Sequence, residues 1–271
     1  MKTKGKLYLV PTPIGNLKDI TLRALEVLEM VDLIGAEDTR TSAYLLKHYN
    51  ISTPMTSYHK FNEKKRSSEF IKRLQSGENI AVISDAGSPG ISDPAAEIVS
   101  QAIETGIIVE ALPGATALIP ALVGSGLPNK HFYFIGFLPD KNKAKNNLLQ
   151  NLKTCPDTMI FYVSPHDIFS FVKDIFEVFG DRRVTLAREL TKLHEEFIRT
   201  TLQELVNGKE IKLKGEFVAV ISGREQIEMT DELLKDKINI LISQELSNRE
   251  IIETISKDEK VPANRVKKLL Y

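Results

Sequence analysis

Residues 80–112 read IAVISDAGSPGISDPAAEIVSQAIETGIIVEAL. The apolar run IAVIS (80–84) passes into a loop of Gly, Ser, Pro and Asp. DPAAEIVSQAIET then predicts a helix with its N-terminus near Asp93 and Pro94, and IIVEAL (107–112) is a second apolar run. Apolar strands separated by helices indicate an α/β protein whose mostly parallel sheet is buried on both faces. Outward from this unit the same alternation recurs, with runs at KLYLV (6–10), DLIGAE (32–37), FYFIGF (132–137), TMIFYV (158–163), RVTLA (183–187) and FVAVIS (217–222). TLRALEVLEMV puts Leu22, Leu25, Leu28 and Val31 on one helical face, and EFIKRLQSG stops on Gly77.

The text changes near residue 140. GFLPDKNKAKNNLLQNL turns from an apolar strand to a charged, Asn-rich segment, with Pro139 and Asp140 suited to a helix start. EEFIRTTLQEL and KGEFVAVISG follow as more closely spaced strands, predicting a mixed second sheet. Beyond Gly223 the strands end. DELLKDKINILISQEL, SNREIIETISKD and PANRVKKLLY predict three short helices, with Ser247 and Pro262 as start signals. The expected division is an α/β domain at 1–138, a second at 139–226 and a helical extension at 227–271.

Composition bounds the function. The 271 residues carry 36 basic and 36 acidic side chains, so bulk charge does not mark a polyanion binder. Cys155 is the one cysteine, which excludes a disulfide framework and a cysteine-based metal site. No apolar run is long enough for a signal peptide or a membrane span, so the expected location is cytoplasmic.

The loop at 84–94 sits where open α/β sheets bind ligands, beyond the carboxyl end of a strand. It is not a Walker loop, because Gly87 and Gly90 are three apart with no lysine following, and it lacks the dinucleotide fingerprint. Asp85 at the strand end repels phosphate, by about 4 kcal/mol for unit charges ~4 Å apart at an effective dielectric near 20. The favoured ligand offers hydroxyls, an ammonium or another cation. Asp93 either caps the next helix or touches that ligand. VEALPGATALIPAL (109–122) repeats the strand, turn and helix, with Thr116 as a cap or a contact, and VPTPIGNL ends the first strand with Gly15 and Asn16. Three such turns converge on one edge of a parallel sheet.

Together these motifs resemble the tetrapyrrole methylase superfamily, the class III S-adenosylmethionine-dependent methyltransferases, and within it the branch acting on small-subunit ribosomal RNA. The matching residues are VPTPIGNLKDITLRA, AEDTRTSAYLL, SYHKFNE, ISDAGSPGISDP, LPGATALIPAL, GFLP, ARELTKLHEE and KGEFVAVISG, in order over residues 5–223. The resemblance implies S-adenosylmethionine in a cleft between two α/β domains, no metal and a homodimer. It also implies methyl transfer to the ribose 2′-hydroxyl of a cytidine near the decoding centre of 16S rRNA. Carried over by position, Ser84, Asp85, Ala86, Gly87, Pro89, Thr116 and Ala117 are implied cofactor residues, joined across the cleft by Tyr162, Arg188, Glu189 and Gly215. Gly15 and Asn16 shape the mouth.

A weakly acidic sugar hydroxyl needs a general base within reach. Glu37, Asp38, His59 and Glu195 are candidates, and His194 stands beside the last. SYHKFNE departs from the branch pattern at Lys60 and Phe61, which leaves His59 as the candidate in that segment. Arg40 binds the RNA backbone or holds Asp38. Lys64, Lys65 and Arg66 are candidate phosphate contacts, Phe61 can stack on a base, and ANRVKKLLY offers a further contact. A neutral chain with local basic patches suits an assembled 30S particle better than free RNA. Two alternatives stay open: methylation of a tetrapyrrole carbon, and a non-catalytic S-adenosylmethionine- or RNA-binding module.

Overall fold

The computed structural model describes residues 3–225, 230–244, 246–259 and 261–271. The first sheet contains β1 (Lys6–Leu9), β2 (Leu33–Ala36), β3 (Met55–Ser57), β4 (Ile80–Ile83) and β5 (Ile108–Ala111), in the order β3-β2-β4-β1-β5. Every pairing in it is parallel. β2 and β4 are buried at every position, as strands covered on both faces must be. Alternate residues of β4 serve the two faces. Ile80 and Val82 pack with Phe70, Ile71 and Leu74 of α3 (Glu63–Gln75) and Ile98 and Ala102 of α4 (Ala96–Glu104). Ala81 and Ile83 pack with Val27 and Leu28 of α1 (Leu22–Met30) and Leu46 of α2 (Thr39–His48). Gly35 lets α3 close on β2, since a Cβ there would lie 2.7 Å from the Phe70 ring.

The second sheet contains β6 (Phe132–Gly136), β7 (Thr158–Val163), β8 (Arg183–Arg188), β9 (Glu196–Thr201) and β10 (Phe217–Ile221), in the order β6-β7-β10-β8-β9. The β6–β7 pair is parallel and the others are antiparallel, so the sheet is mixed as expected. One face meets α6 (Asn142–Leu152), α7 (Ile168–Phe179) and α8 (Leu202–Val206) through Leu149, Phe171, Ile175, Leu202 and Leu205. The other face is covered by α5 (Leu118–Ser125), which follows β5 in the chain yet packs Ala121 and Leu122 against Ile160, Ala187, Val218 and Val220. The Thr185 hydroxyl fastens it, donating to the Ser125 carbonyl at 3.0 Å.

Several local expectations change. Leu22 is exposed and Leu25 half-buried, whereas Leu28 and Val31 are buried as expected, with Ala24 and Val27 beside them. The end of EEFIRTTLQEL is helical, because the Thr201 side chain accepts the Glu204 N–H and starts α8. β3 is a strand the sequence did not announce. Asp93 does not cap α4, whose N-cap is Ala95, and Thr116 does not cap α5, whose N-cap is Ala117.

Residues 1–224 and 225–271 form two compact units. The expected start of the extension, residue 227, lies outside the described residues. The second unit contains α9 (Asp231–Ser243), α10 (Asn248–Asp258) and α11 (Ala263–Leu270) around Leu234, Ile238, Ile251, Ile255 and Val266. Ser247 closes a capping box with Glu250, and Pro262 is the N-cap of α11.

Candidate active site

The three turns meet at the carboxyl edge of the first sheet. Thr12, after β1, exchanges both backbone hydrogen bonds with Gly87, each 2.9 Å long. The Thr12 hydroxyl donates to the Ser84 carbonyl and the buried Ser84 hydroxyl to the Gly87 carbonyl, both at 3.0 Å. The Ser88 hydroxyl donates to the Ala115 carbonyl at 3.1 Å, bringing in the turn after β5. Gly87 has a φ of 85°, the left-handed region in which glycine carries no Cβ penalty.

Beside these turns lies a cavity of about 380 Å³. Ile14, Ala86, Gly87, Ser88, Asp93, Thr116 and Ala117 line it from the first-sheet turns; Phe137, Tyr162, Ser164, Pro165, Glu216 and Val218 line it from the second-sheet half. Its volume suits a small-molecule ligand, and its walls are largely apolar and aromatic. Among the described residues lining it, none is Lys or Arg. Tyr162 stands edge-on to Phe134 and Phe137, with ring centroids 5.0 and 5.5 Å away. Burial pushes its phenol pKa up, so it presents a neutral hydroxyl.

Of the expected cofactor residues, Ala86, Gly87, Thr116, Ala117 and Tyr162 line this cavity. Ser84 and Pro89 are buried within the loop behind it. Arg188 is buried and bound to Glu196 at 3.1 Å and to the Lys214 carbonyl at 2.9 Å. Glu189, at a φ of 52°, accepts from the Lys192 ammonium at 2.8 Å and from the Glu216 N–H at 3.0 Å. A Cβ on Gly215 would lie 2.4 Å from the Glu189 Cγ, so these three residues shape the backbone that delivers Glu216 to the cavity. Gly15 packs on Lys192, whose Cγ would be 2.5 Å from an added Cβ, and Asn16 accepts the Lys18 N–H at 3.1 Å to start a short 3-10 turn.

The candidate bases cluster beyond the end of β2. Asp38 caps α2 by accepting the Arg40 N–H at 2.8 Å, and the Arg40 guanidinium forks onto it at 3.1 and 2.6 Å. That partner holds the Asp38 pKa down to about 2, which makes it a poor proton acceptor. Asp85 accepts the Asp38 N–H at 3.0 Å. Glu37 behaves oppositely: burial raises its pKa, and the carboxylates of Asp93 and Asp85 push the same way. Burial also raises Asp93, with Asp85 adding to it. His59 is a neighbour that lowers the Glu37 pKa; its Nε2 lies 3.2 Å from the Asn62 amide, and its Nδ1 is enclosed without a protein partner among the described residues. Glu195 is engaged elsewhere, accepting the Thr191 N–H at 2.7 Å, and His194 is exposed.

Of the candidate RNA contacts, Phe61 is 95% exposed and 6.1 Å from the His59 ring. Lys64 and Lys65 are exposed on the first turn of α3, whereas Arg66 is half-buried and paired with Glu69 at 2.8 Å. Sequence reasoning missed Phe137, Glu216 and Ile14, and left Asp93 between cap and contact. GFLP carried the signal for Phe137. Among the described residues no group of three or more His, Cys, Asp and Glu is placed to hold a metal ion, and no helix is long and apolar enough to cross a membrane.

A family model described as tetrapyrrole (corrin/porphyrin) methylases matches residues 6–206. Ribosomal RNA small subunit methyltransferase I of Synechocystis sp. is 44% identical over 98% of this chain and 97% of its own. The protein of that name from Thermotoga maritima is 46% identical over 82% of this chain and 100% of its own. Among solved structures, the uroporphyrin-III C-methyltransferase of Thermus thermophilus complexed with S-adenyl homocysteine superposes with a TM-score of 0.57 at 18% identity, covering 81% of this chain and 98% of that one. At that identity the likeness is one of fold. With the model match spanning most of its length and full-length relatives above 40% identity, the chain belongs to the tetrapyrrole (corrin/porphyrin) methylase family.

Proposed function

We propose that the cavity holds S-adenosylmethionine and that the protein methylates the ribose 2′-hydroxyl of a cytidine in 16S rRNA, near the decoding centre of the small ribosomal subunit. The observation that carries this reading is the cavity itself. It has aromatic and apolar walls and two carboxylates, none of the described residues lining it is Lys or Arg, and Asp93 of its wall is a charged neighbour of Glu37. A nucleoside with a sulfonium and an ammonium fits that donor set, and a nucleotide phosphate does not. The names of the full-length relatives supply the substrate class.

When bound, the cofactor supplies a methyl group on a positively charged sulfur. Phe137 and Tyr162 offer aromatic surface for the base of a nucleoside. Thr116 and the backbone of Ala86 and Ser88 offer hydrogen-bonding groups for its sugar. Glu37 takes the proton of the acceptor hydroxyl; its raised pKa makes it a stronger base than an ordinary carboxylate. His59 stands beside Glu37 at this end of the sheet. Asp85 fixes Asp38 and the start of α2. Lys64 and Lys65 contact phosphates, Phe61 stacks on a base beside the target, and Arg40 directs its remaining N–H groups at the backbone. The same reading includes two α/β domains meeting near residue 138, a homodimer, a cytoplasmic location and the assembled 30S particle as substrate.

Mapping ribose methylation in 16S rRNA from cells lacking the protein tests the reading, and loss at one cytidine is expected. Unchanged methylation at every small-subunit site would overturn it. Faster transfer to assembled subunits than to naked rRNA is expected, and equal rates would remove the particle from the proposal.

A further inference from the structure

We infer that Asp93 is a specificity residue that reads the positive charge on the methyl-bearing sulfur, so that the pocket holds the charged methyl donor in preference to the neutral-sulfur product. This deepens the methyltransferase reading and rests on it.

Two carboxylates line the cavity, and they differ in kind. Glu216 is 76% exposed in its side chain and is paired with the Lys192 ammonium at 3.0 Å, so its charge is already answered. Asp93 is half-buried, and among the described residues it forms no ion pair. The charged group that acts on it is Asp85, a like charge. A carboxylate in such surroundings gains more from an arriving cation than one in open water does.

Position along the cavity selects which cation. Asp93 belongs to both the cavity wall and the carboxylate group at the end of β2, where it is the leading charged neighbour of Glu37. The acceptor hydroxyl has to lie within hydrogen-bond reach of Glu37. In-line displacement points the methyl group at that hydroxyl with sulfur directly behind it. The sulfur is therefore the part of the cofactor that comes nearest the carboxylates of Asp93 and Glu37. In the reaction the acceptor oxygen bonds the methyl carbon as the carbon–sulfur bond breaks. The electron pair stays on sulfur, which becomes a neutral thioether, and the hydroxyl proton passes to Glu37. The attraction to Asp93 is lost in the same event, which favours exchange of product for fresh donor.

The test is calorimetric binding at pH 8 to wild type, Asp93→Asn and Glu216→Gln, without RNA. The ligands are S-adenosylmethionine, S-adenosylhomocysteine, and sinefungin, which carries an ammonium in place of the methylated sulfur. Asp93→Asn is expected to weaken both charged ligands about tenfold or more and S-adenosylhomocysteine less than twofold; Glu216→Gln is expected to leave the ratios within twofold. Equal weakening of all three ligands by Asp93→Asn, or none, would overturn the inference, as would collapse of the preference in Glu216→Gln alone. Wild type itself gives a measurement free of folding effects: if it bound S-adenosylhomocysteine more tightly than sinefungin, the inference would be overturned whatever the variants did. Failure of wild type to bind any of the three would instead overturn the cofactor reading, and this inference with it.

Discussion

The carboxylate of Asp85 receives the backbone N–H of Asp38 at 3.0 Å, which ties the turn after β4 to the first turn of α2. Asp85→Ala is expected to lower kcat on the order of 10–100-fold through misplacement of the Glu37–Arg40 turn, with a stability loss of about 1 kcal/mol for the missing hydrogen bond. Cofactor Kd should change by less than about threefold. Calorimetry alongside single-turnover rates checks the split; a large loss of cofactor affinity with normal turnover at saturation would count against it.

Glu37 sets the acid limb of the pH profile. A raised pKa means that the ionised, proton-accepting form appears only at higher pH than for an ordinary glutamate, so kcat falls as pH drops through that value. Asp93 and Asp85 raise it, and His59 opposes them. Removing the Asp93 charge should lower it, so that Asp93→Asn at saturating cofactor keeps its activity to lower pH than wild type. Glu37→Gln should lose on the order of 10²–10⁴-fold in kcat and the acid limb with it. An acid limb persisting in Glu37→Gln would give the base to another group.

Phe137 separates binding from stability. The residue is 59% exposed yet lines the cavity. Phe137→Ala should weaken cofactor binding by about 1 kcal/mol, on the order of fivefold, while thermal unfolding shifts by less than about 0.5 kcal/mol.

Gly87→Ala acts through the backbone. At a φ of 85° an alanine pays roughly 1–2 kcal/mol, and its Cβ would press on Ile14 at 3.3 Å. Lower stability in chemical denaturation and weaker cofactor binding should appear together.

For the RNA face, Lys64→Ala with Lys65→Ala should reduce the slope of log affinity against log salt by roughly 1.4, two contacts at about 0.7 each for single-stranded RNA. Arg66→Ala should leave that slope unchanged, because Arg66 is already committed to Glu69 at 2.8 Å. Filter binding over a salt series distinguishes the two.

The sequence made the strongest elements plain where burial is total. β2 and β4 are apolar at nearly every position because both faces are covered. β3 escaped notice because three half-buried residues, Met55–Ser57, carry no pattern and take their conformation from pairing with β2. On α1 the large Leu22 misled, since the surface packed on the sheet has room for Ala24. In the site, the glycine turns could be recognised because their geometry demands special residues. Asp93 could not be settled between cap and contact, because Ala95 occupying the N-cap of α4 is a three-dimensional outcome. Arg188, Glu189 and Gly215 were placed by likeness, and their packing shows them holding the segment that carries Glu216.

α5 has a consequence for synthesis on the ribosome. It leaves the exit tunnel before any strand of the sheet it covers, and Ala121 and Leu122 meet Ile160, Ala187, Val218 and Val220 only after some hundred further residues are made. At about 5–20 residues per second that is an interval of roughly 5–20 s. Until then the finished first half carries an apolar helix whose cover is incomplete, a natural landing place for a chaperone that meets the nascent chain.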